Sequence, residues 1–138
     1  VPDHITHQAF EEQFPRLILS ARDLPRKRLP FNILLISAIL RLDPELVYSE
    51  AEINDQLQRW ILEFGRNLPL EHVELRRYLV DAGYLTRDRS GSSYKAQSDA
   101  GTYSFDLSLR QVDLVELIAE ARAERDARKR AHTKVKSS

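Results

Sequence analysis

The stretch Leu75-Arg76-Arg77-Tyr78-Leu79-Val80-Asp81-Ala82-Gly83-Tyr84-Leu85-Thr86-Arg87 constrains the fold more than any other part of the chain. Leu75, Tyr78, Leu79 and Ala82 recur at helical spacing and should put one helix face on a core. Gly83, directly after that run, is the expected left-handed residue that closes a helix. The periodicity then changes. Tyr84 to Arg87 reads as a strand, Arg89-Ser90-Gly91-Ser92 as a turn, and Ser93 to Gln97 as a return strand. A helix that ends on glycine and runs straight into a hairpin leaves few arrangements open.

The elements before it are mostly helical. Phe10, Phe14, Leu17, Ile18 and Ala21 follow a helical period, and Pro15 inside it should start or kink that helix. Leu24 to Pro30 is a short basic connector between prolines. Phe31 to Leu42 reads as a mostly buried helix, with Pro30 in its first turn and Asp43-Pro44 ending it. Ser49-Glu50-Ala51-Glu52 is a capping box, with Tyr48 and Ile53 at the staple positions. Ile53, Leu57, Trp60, Ile61 and Phe64 form the stripe of the helix that follows, Gly65 ends it, and Pro69 can open the next.

After the hairpin, Ser98 to Gly101 is a turn, and Tyr103, Phe105 and Leu107 alternate as a third strand. Ser108-Leu109-Arg110-Gln111 is a second capping box, expected to start a helix through about Arg130. That helix is apolar on several faces from Val112 to Ala119 and charged afterwards, so it should dock with its first turns and then project.

The expected fold is mainly α with a small β-hairpin or three-stranded sheet. The order helix, capped helix, helix, hairpin is that of a winged helix-turn-helix. Its expected divisions are an N-terminal helical extension over 1–21, the winged-helix body over 22–107, and a C-terminal helix with a basic tail over 108–138. The chain's 138 residues suit one ordinary domain able to bury a core without staples.

Composition narrows the chemistry. There is no cysteine, so disulfides and thiol chemistry are excluded. No apolar run reaches membrane-spanning length, and the first residues lack the regions of a signal peptide; the expectation is a cytoplasmic protein. Formal net charge is zero, which argues against tight non-specific nucleic-acid binding by the chain as a whole. The charge is unevenly placed, however. Residues 45–63 carry Glu45, Glu50, Glu52, Asp55 and Glu63 against Arg59, whereas residues 122–138 carry Arg122, Arg125, Arg128, Lys129, Arg130, Lys134 and Lys136 against Glu124 and Asp126. Such a tail suits an anionic partner, or is simply a solvated helix end.

Three segments resemble the bacterial DUF2087 family in this order: Leu24-Pro25-Arg26-Lys27-Arg28, Tyr48-Ser49-Glu50-Ala51-Glu52-Ile53-Asn54, and Leu75 to Arg87. The resemblance covers residues 22–96, and the arginine pair with its Leu-Val-Asp-x-Gly continuation is its most specific part. Glu71, where the family commonly has aspartate, and Pro30, within what is usually a basic helix start, depart from the pattern. The resemblance implies a domain of unknown function, found alone and in proteins described as transcriptional regulators. It brings no catalytic residues.

Candidate contact residues follow from the basic positions. Arg76 and Arg77 can offer planar forks to phosphate or a base edge. Alternatively, either could pair with Glu52, Asp55 or Asp81 and fix helix packing. His72 lies in the leading turn of the same helix with Glu71, Val73 and Glu74, and the two glutamates would repel phosphate. Arg87, Arg89 and Lys95 bracket the hairpin tip, where cations also serve to block edge pairing. Arg26, Lys27 and Arg28 could reach phosphate from the connector, and Arg128, Lys129 and Arg130 from the tail. His4 and His7 do not make a metal set with His72 or His132, and no phosphate loop or nucleophile–base arrangement is visible.

The expectation is therefore a non-enzymatic winged-helix binding module without cofactor or metal, nucleic-acid-binding or transcription-associated. The alternative is a protein-interaction adaptor docking on a protein or a ribonucleoprotein complex. Homodimerisation through 108–130 is a further expectation.

Overall fold

A computed structural model describes residues 3–137; the side chains of the tail lysines Lys134 and Lys136 lie outside the described part. The described residues form, in order, β1 (Asp3–Ile5), α1 (His7–Ser20), α2 (Arg28–Ile39), β2 (Tyr48–Ser49), α3 (Glu50–Phe64), α4 (His72–Asp81), β3 (Leu85–Arg87), β4 (Ser93–Ala96), β5 (Tyr103–Phe105), a 3₁₀ turn (Leu107–Gln111) and α5 (Leu114–Ser137). The protein is mostly helical, with a three-stranded antiparallel sheet and a long C-terminal helix.

α2 is the central element. Asn32 to Ile39 are all buried, because Ile33, Leu34, Leu35, Ile36, Ala38 and Ile39 leave no polar face. Such a helix must be covered on every side. α1 and α4 both pack on it, α3 packs on α4, and α5 packs on α1. Its polar groups are satisfied internally. Ser37 Oγ accepts the indole N–H of the buried Trp60 at 3.0 Å and donates to the Leu34 carbonyl at 2.5 Å. These bonds let an indole and a hydroxyl sit in the core without the cost of an unpaired polar group.

The capping box at Ser49 and Glu52 forms as the sequence predicts. Ser49 Oγ accepts the Glu52 N–H at 3.1 Å, and Glu52 Oε1 accepts the Ser49 N–H at 2.9 Å. α2 begins at Arg28, so Pro30 lies in its first turn, where a missing N–H costs nothing. Pro15 neither starts nor ends a helix. α1 begins at His7, where Thr6 Oγ1 accepts the Ala9 N–H at 3.1 Å, and continues through a buried Pro15.

One sequence expectation is met only in part and another is overturned. Tyr103 and Phe105 form a strand, but it does not extend the hairpin. β5 pairs in parallel with β1, in the register Asp3↔Tyr103 and Ile5↔Phe105. The third strand of the hairpin's sheet is β2, which pairs antiparallel with β4 in the order β2-β4-β3.

The long helix does not begin at Ser108 either. Leu109 is fully buried, and Arg110 reaches the Leu42 carbonyl at 3.3 Å and Ser98 Oγ at 2.9 Å. Those two anchors hold Leu107–Gln111 as a 3₁₀ turn. Val112 is then extended, and Asp113 caps α5 by accepting the Glu116 N–H at 3.0 Å. α5 docks through Leu114 and Ile118, and every residue from Ala127 to Thr133 is exposed. The helix runs past the expected end at Arg130, to Ser137.

Candidate functional site

α4 is closed at both ends by local chemistry. At its start Glu71 is the N-cap residue, and its N–H donates to Glu74 Oε1 at 3.2 Å. Glu74 is thereby committed to the helix start. At its end Gly83 adopts φ +82°, its N–H donates to the Val80 carbonyl at 3.1 Å, and the Tyr84 N–H donates to the Leu79 carbonyl at 3.0 Å. This pair of bonds is the Schellman arrangement. A β-carbon at Gly83 would sit 2.4 Å from the Ala100 carbonyl oxygen, so the glycine also admits a neighbouring loop. Helix and hairpin therefore meet at a fixed angle.

Between them lies a recess of ≈ 240 Å³ walled by Val73, Arg76, Arg77, Asp81, Arg87 and Tyr94, among others. The two adjacent arginines differ sharply. The Arg76 side chain is only 18% exposed. It donates to Asn54 Oδ1 at 2.6 Å, lies 3.4 Å from Glu50 Oε1, and sits over the Tyr94 ring at 5.5 Å. Arg76 thus ties α4 to the start of α3 and to β4. Its partners are not the Glu52, Asp55 or Asp81 expected from the sequence, since Glu52 is held by the Ser49 cap and Asp55 by Arg59 at 3.1 Å. Arg77 is exposed, and its guanidinium lies over the adjacent Tyr78 ring at 5.6 Å.

The hairpin tip is organised by Asp88. Its carboxylate accepts the Ser92 N–H at 2.8 Å and the Ser93 N–H at 3.2 Å, and both the Ser90 and the Ser92 hydroxyl at 3.1 Å. Bonds of this kind stabilise the charged form, and those from Ser93 and Ser92 backbone and Ser90 hydroxyl hold the Asp88 carboxyl well below the usual carboxylate range. The aspartate between Arg87 and Arg89 is a turn-builder. Gly91, at φ +72°, lies under the Arg87 guanidinium, and a β-carbon there would sit 2.5 Å from Arg87 Nη2.

The other candidates separate into distinct regions. Arg87 pairs across the hairpin with Tyr94, whereas Lys95 pairs with Thr86, so Arg87 and Lys95 point to opposite faces. Arg87 shares the recess with Arg77; Lys95 does not line it. Arg89 is exposed at the tip. Arg26 and Lys27 are exposed before α2, with Lys27 as its N-cap residue. Arg28 bonds Asp3 at 2.8 Å and lies 5.1 Å from the Tyr103 ring centre, which commits it to the β1–β5 seam.

His72 is half-buried, with Nδ1 3.4 Å from Gln58 Nε2. It belongs to a different depression, ≈ 510 Å³, lined also by Ile61, Leu62 and Leu70. Arg128, Lys129 and Arg130 are exposed on α5. α5 packs on α1, α1 on α2, and α2 on α4, so helices intervene between this basic tail and the α4 recess.

His4 and His7 are held within the protein. His4 contacts Ser104 Oγ at 2.7 Å and Asp106 Oδ1 at 2.6 Å, and His7 contacts Ser108 Oγ at 2.9 Å and Glu11 Oε1 at 2.5 Å. Among the described residues no group of three or more His, Cys, Asp or Glu side chains is arranged to hold a metal ion. No helix of the described part is long and apolar enough to cross a membrane.

Sequence reasoning placed Val73 in the leading turn of α4 but missed Tyr94 and Leu62. Val73 is 49% exposed on the α4 face opposite Leu75, and Leu62 is 60% exposed beside the α3 stripe. Both are apolar residues out of phase with their helix's buried face, a signal readable from period alone.

No curated protein and no solved structure shows a significant match to the chain. One family model does, over residues 21–96, and it covers all of α2, α3, α4 and the hairpin with its recess. The chain therefore belongs to the DUF2087 family, described as an uncharacterized protein conserved in bacteria.

Proposed function

We propose that this protein is a non-enzymatic winged-helix binding module that contacts nucleic acid through α4 and the β3–β4 hairpin, in a transcription-associated role. The observation that carries the reading is the recess at their junction. The order α2-β2-α3-α4-β3-β4, with sheet order β2-β4-β3, supports the winged-helix reading. It leaves Arg77 exposed on α4 and sets Arg87 against the same recess. Two guanidinium groups projecting from a rigid helix–hairpin junction suit phosphate oxygens, which accept paired hydrogen bonds from arginine. The Glu71–Glu74 cap occupies the leading turn, so contact by the middle of α4 fits better than base reading by its first residues.

Fluorescence anisotropy with labelled duplex DNA at about 25 to 200 mM salt tests this, over the range where phosphate contacts are most salt-sensitive. Binding that weakens with salt, and weakens further in Arg77→Ala with Arg87→Ala, is the expected result. No binding at the lowest salt would sink the reading. Arg76 is a poor test residue, because its removal unpairs Asn54 and loosens α4.

The adaptor reading draws on one specific feature. The depression beside His72 is mainly apolar, with Ile61, Leu62 and Leu70 around it. An exposed apolar concavity suits a protein side chain better than a phosphate. It would be preferred if duplex DNA fails to bind while a stoichiometric protein partner is lost in Leu62→Ser.

A further inference from the structure

The described part of α5 beyond the body carries charges that nothing in the monomer uses. Residues 127–133 are exposed throughout, and among the described residues no ion pair involves an α5 side chain. A helix segment this polar and this unsupported has little intrinsic stability in water.

The charge is polarised along the axis. Asp113, Glu116 and Glu120 lie in the first part with no basic residue between them, and Arg122, Arg125, Arg128, Lys129 and Arg130 follow against Glu124 and Asp126. α1 runs beside the acidic part and adds Glu11, so Glu11, Asp113, Glu116 and Glu120 rim one shallow recess with Val112 and Leu117 at its floor.

The helical phase decides what faces outward. Leu114 and Ile118 are buried and Arg125 is half-buried, its guanidinium donating to the Leu19 carbonyl at 3.3 Å; these three mark the inward side. The opposite side carries Glu116, Ala119, Glu120, Ala123, Ala127 and Arg130, every one of them exposed. It is acidic at one end, small-sided in the middle and basic at the other.

We propose that this face binds the same face of a second copy, with the two α5 helices antiparallel about a twofold axis at Ala123. Antiparallel pairing is the orientation that brings acidic first half to basic second half, and a twofold axis makes the surface satisfy itself twice. With the axis at Ala123, Glu116 of one copy stands opposite Arg130 of the other. Ala119, Ala123 and Ala127 let the helix backbones approach, and the Glu11–Glu116–Glu120 rim receives the other copy's basic segment. Zero net charge removes the global repulsion that would otherwise oppose association. The inference does not rest on nucleic-acid binding, since α4 and the hairpin take no part in it.

Sedimentation equilibrium of the full chain at increasing salt is the direct test. A dimer at low salt that dissociates as salt rises is expected. Arg130→Glu and Glu116→Arg should each weaken it about tenfold or more, because each substitution acts at two symmetric contacts. The double exchange Glu116→Arg with Arg130→Glu should restore it. Thermal melting at a concentration where the chain is monomeric should match the unsubstituted chain for Arg130→Glu and fall only slightly for Glu116→Arg, whose charge sits in the first turn of α5. A monomer at all concentrations overturns the proposal, and so does a dimer indifferent to these exchanges. A chain that stays monomeric alone but whose Arg130→Glu variant loses affinity for duplex DNA assigns the tail to nucleic acid instead.

Discussion

Tyr84 links three parts of the chain through one hydroxyl group. It donates to Asn32 Oδ1 in α2 at 2.7 Å and accepts the Tyr103 N–H of β5 at 3.0 Å, while Asn32 Nδ2 donates to the Arg28 carbonyl at 2.8 Å. Its ring is fully buried against Gly101, where a β-carbon would sit 2.2 Å from Tyr84 Cδ1. Tyr84→Phe keeps the packing and leaves Asn32 Oδ1 and the Tyr103 N–H without their partner. Urea denaturation should report a loss of about 1–3 kcal/mol; an unchanged midpoint would mean that water replaces the hydroxyl. Burial pushes the Tyr84 hydroxyl up to about 12, against an ordinary value near 10. A raised folded-state value means that its contribution is complete below pH ~10 and is lost as pH rises from ~10 through ~12. That alkaline loss should shrink in the phenylalanine variant. Gly83 is the other residue on which the junction depends. Gly83→Ala forces a positive φ and a clash with the Ala100 carbonyl, and should cost about 2 kcal/mol or more by the same measurement.

Among the elements, the hairpin shows how a short sequence can hold its own geometry. The Asp88 carboxyl is held low by the hydrogen bonds it accepts, so the sign is that of a depressed acid. Its contacts are complete above the ordinary aspartate value near ~3.9 and fail only as pH falls through the lower folded-state value. The Ser92 and Ser93 amide resonances should therefore hold steady from neutral pH through ~4 and shift below it. A midpoint at ~4 would show that the turn does not depend on Asp88. Features of this local kind were legible in the sequence: the Ser49–Glu52 box, the Gly83 stop and the hairpin all depend on neighbours within a few residues. The parallel β1–β5 pair was not legible, because it joins residues about a hundred positions apart and neither strand has a partner nearby in sequence. α5 was misplaced because two cap sequences compete. Asp113 prevails over Ser108 through the burial of Leu109 and the reach of Arg110, both tertiary facts. For the candidate site, the identity of α4 and the exposure of Arg77 followed from helical phase. The capture of Arg76 by Asn54 and Glu50 depended on how α3 and α4 cross. Likewise, Arg87 and Lys95 lie on different strands, so only the hairpin register separates their faces and sets Arg87 against the recess.

Over the whole molecule, the two halves of α5 contribute unequally to stability. The N-terminal segment gives Ile5, Phe10 and Phe14 to the core shared by α2, α3 and the sheet, and the first turns of α5 add Leu114 and Ile118. Beyond Asp126 the described residues bury nothing. Surface residues away from caps and buried networks usually change stability by no more than about 0.5 kcal/mol. Ending the chain after Asp126 should therefore leave the melting temperature of the monomer nearly unchanged. Ending it before Asp113 strips the cap and both buried side chains and uncovers the outer face of α1. Losing the Leu and Ile side chains alone should cost about 3 kcal/mol or more, enough to lower the melting transition by many degrees. The two truncations together locate the boundary between the folded body and the surface offered to a partner. If the shorter cut at Asp126 melts the body, the last turns of α5 support the fold. If it leaves the body intact and abolishes self-association, those turns serve the second copy.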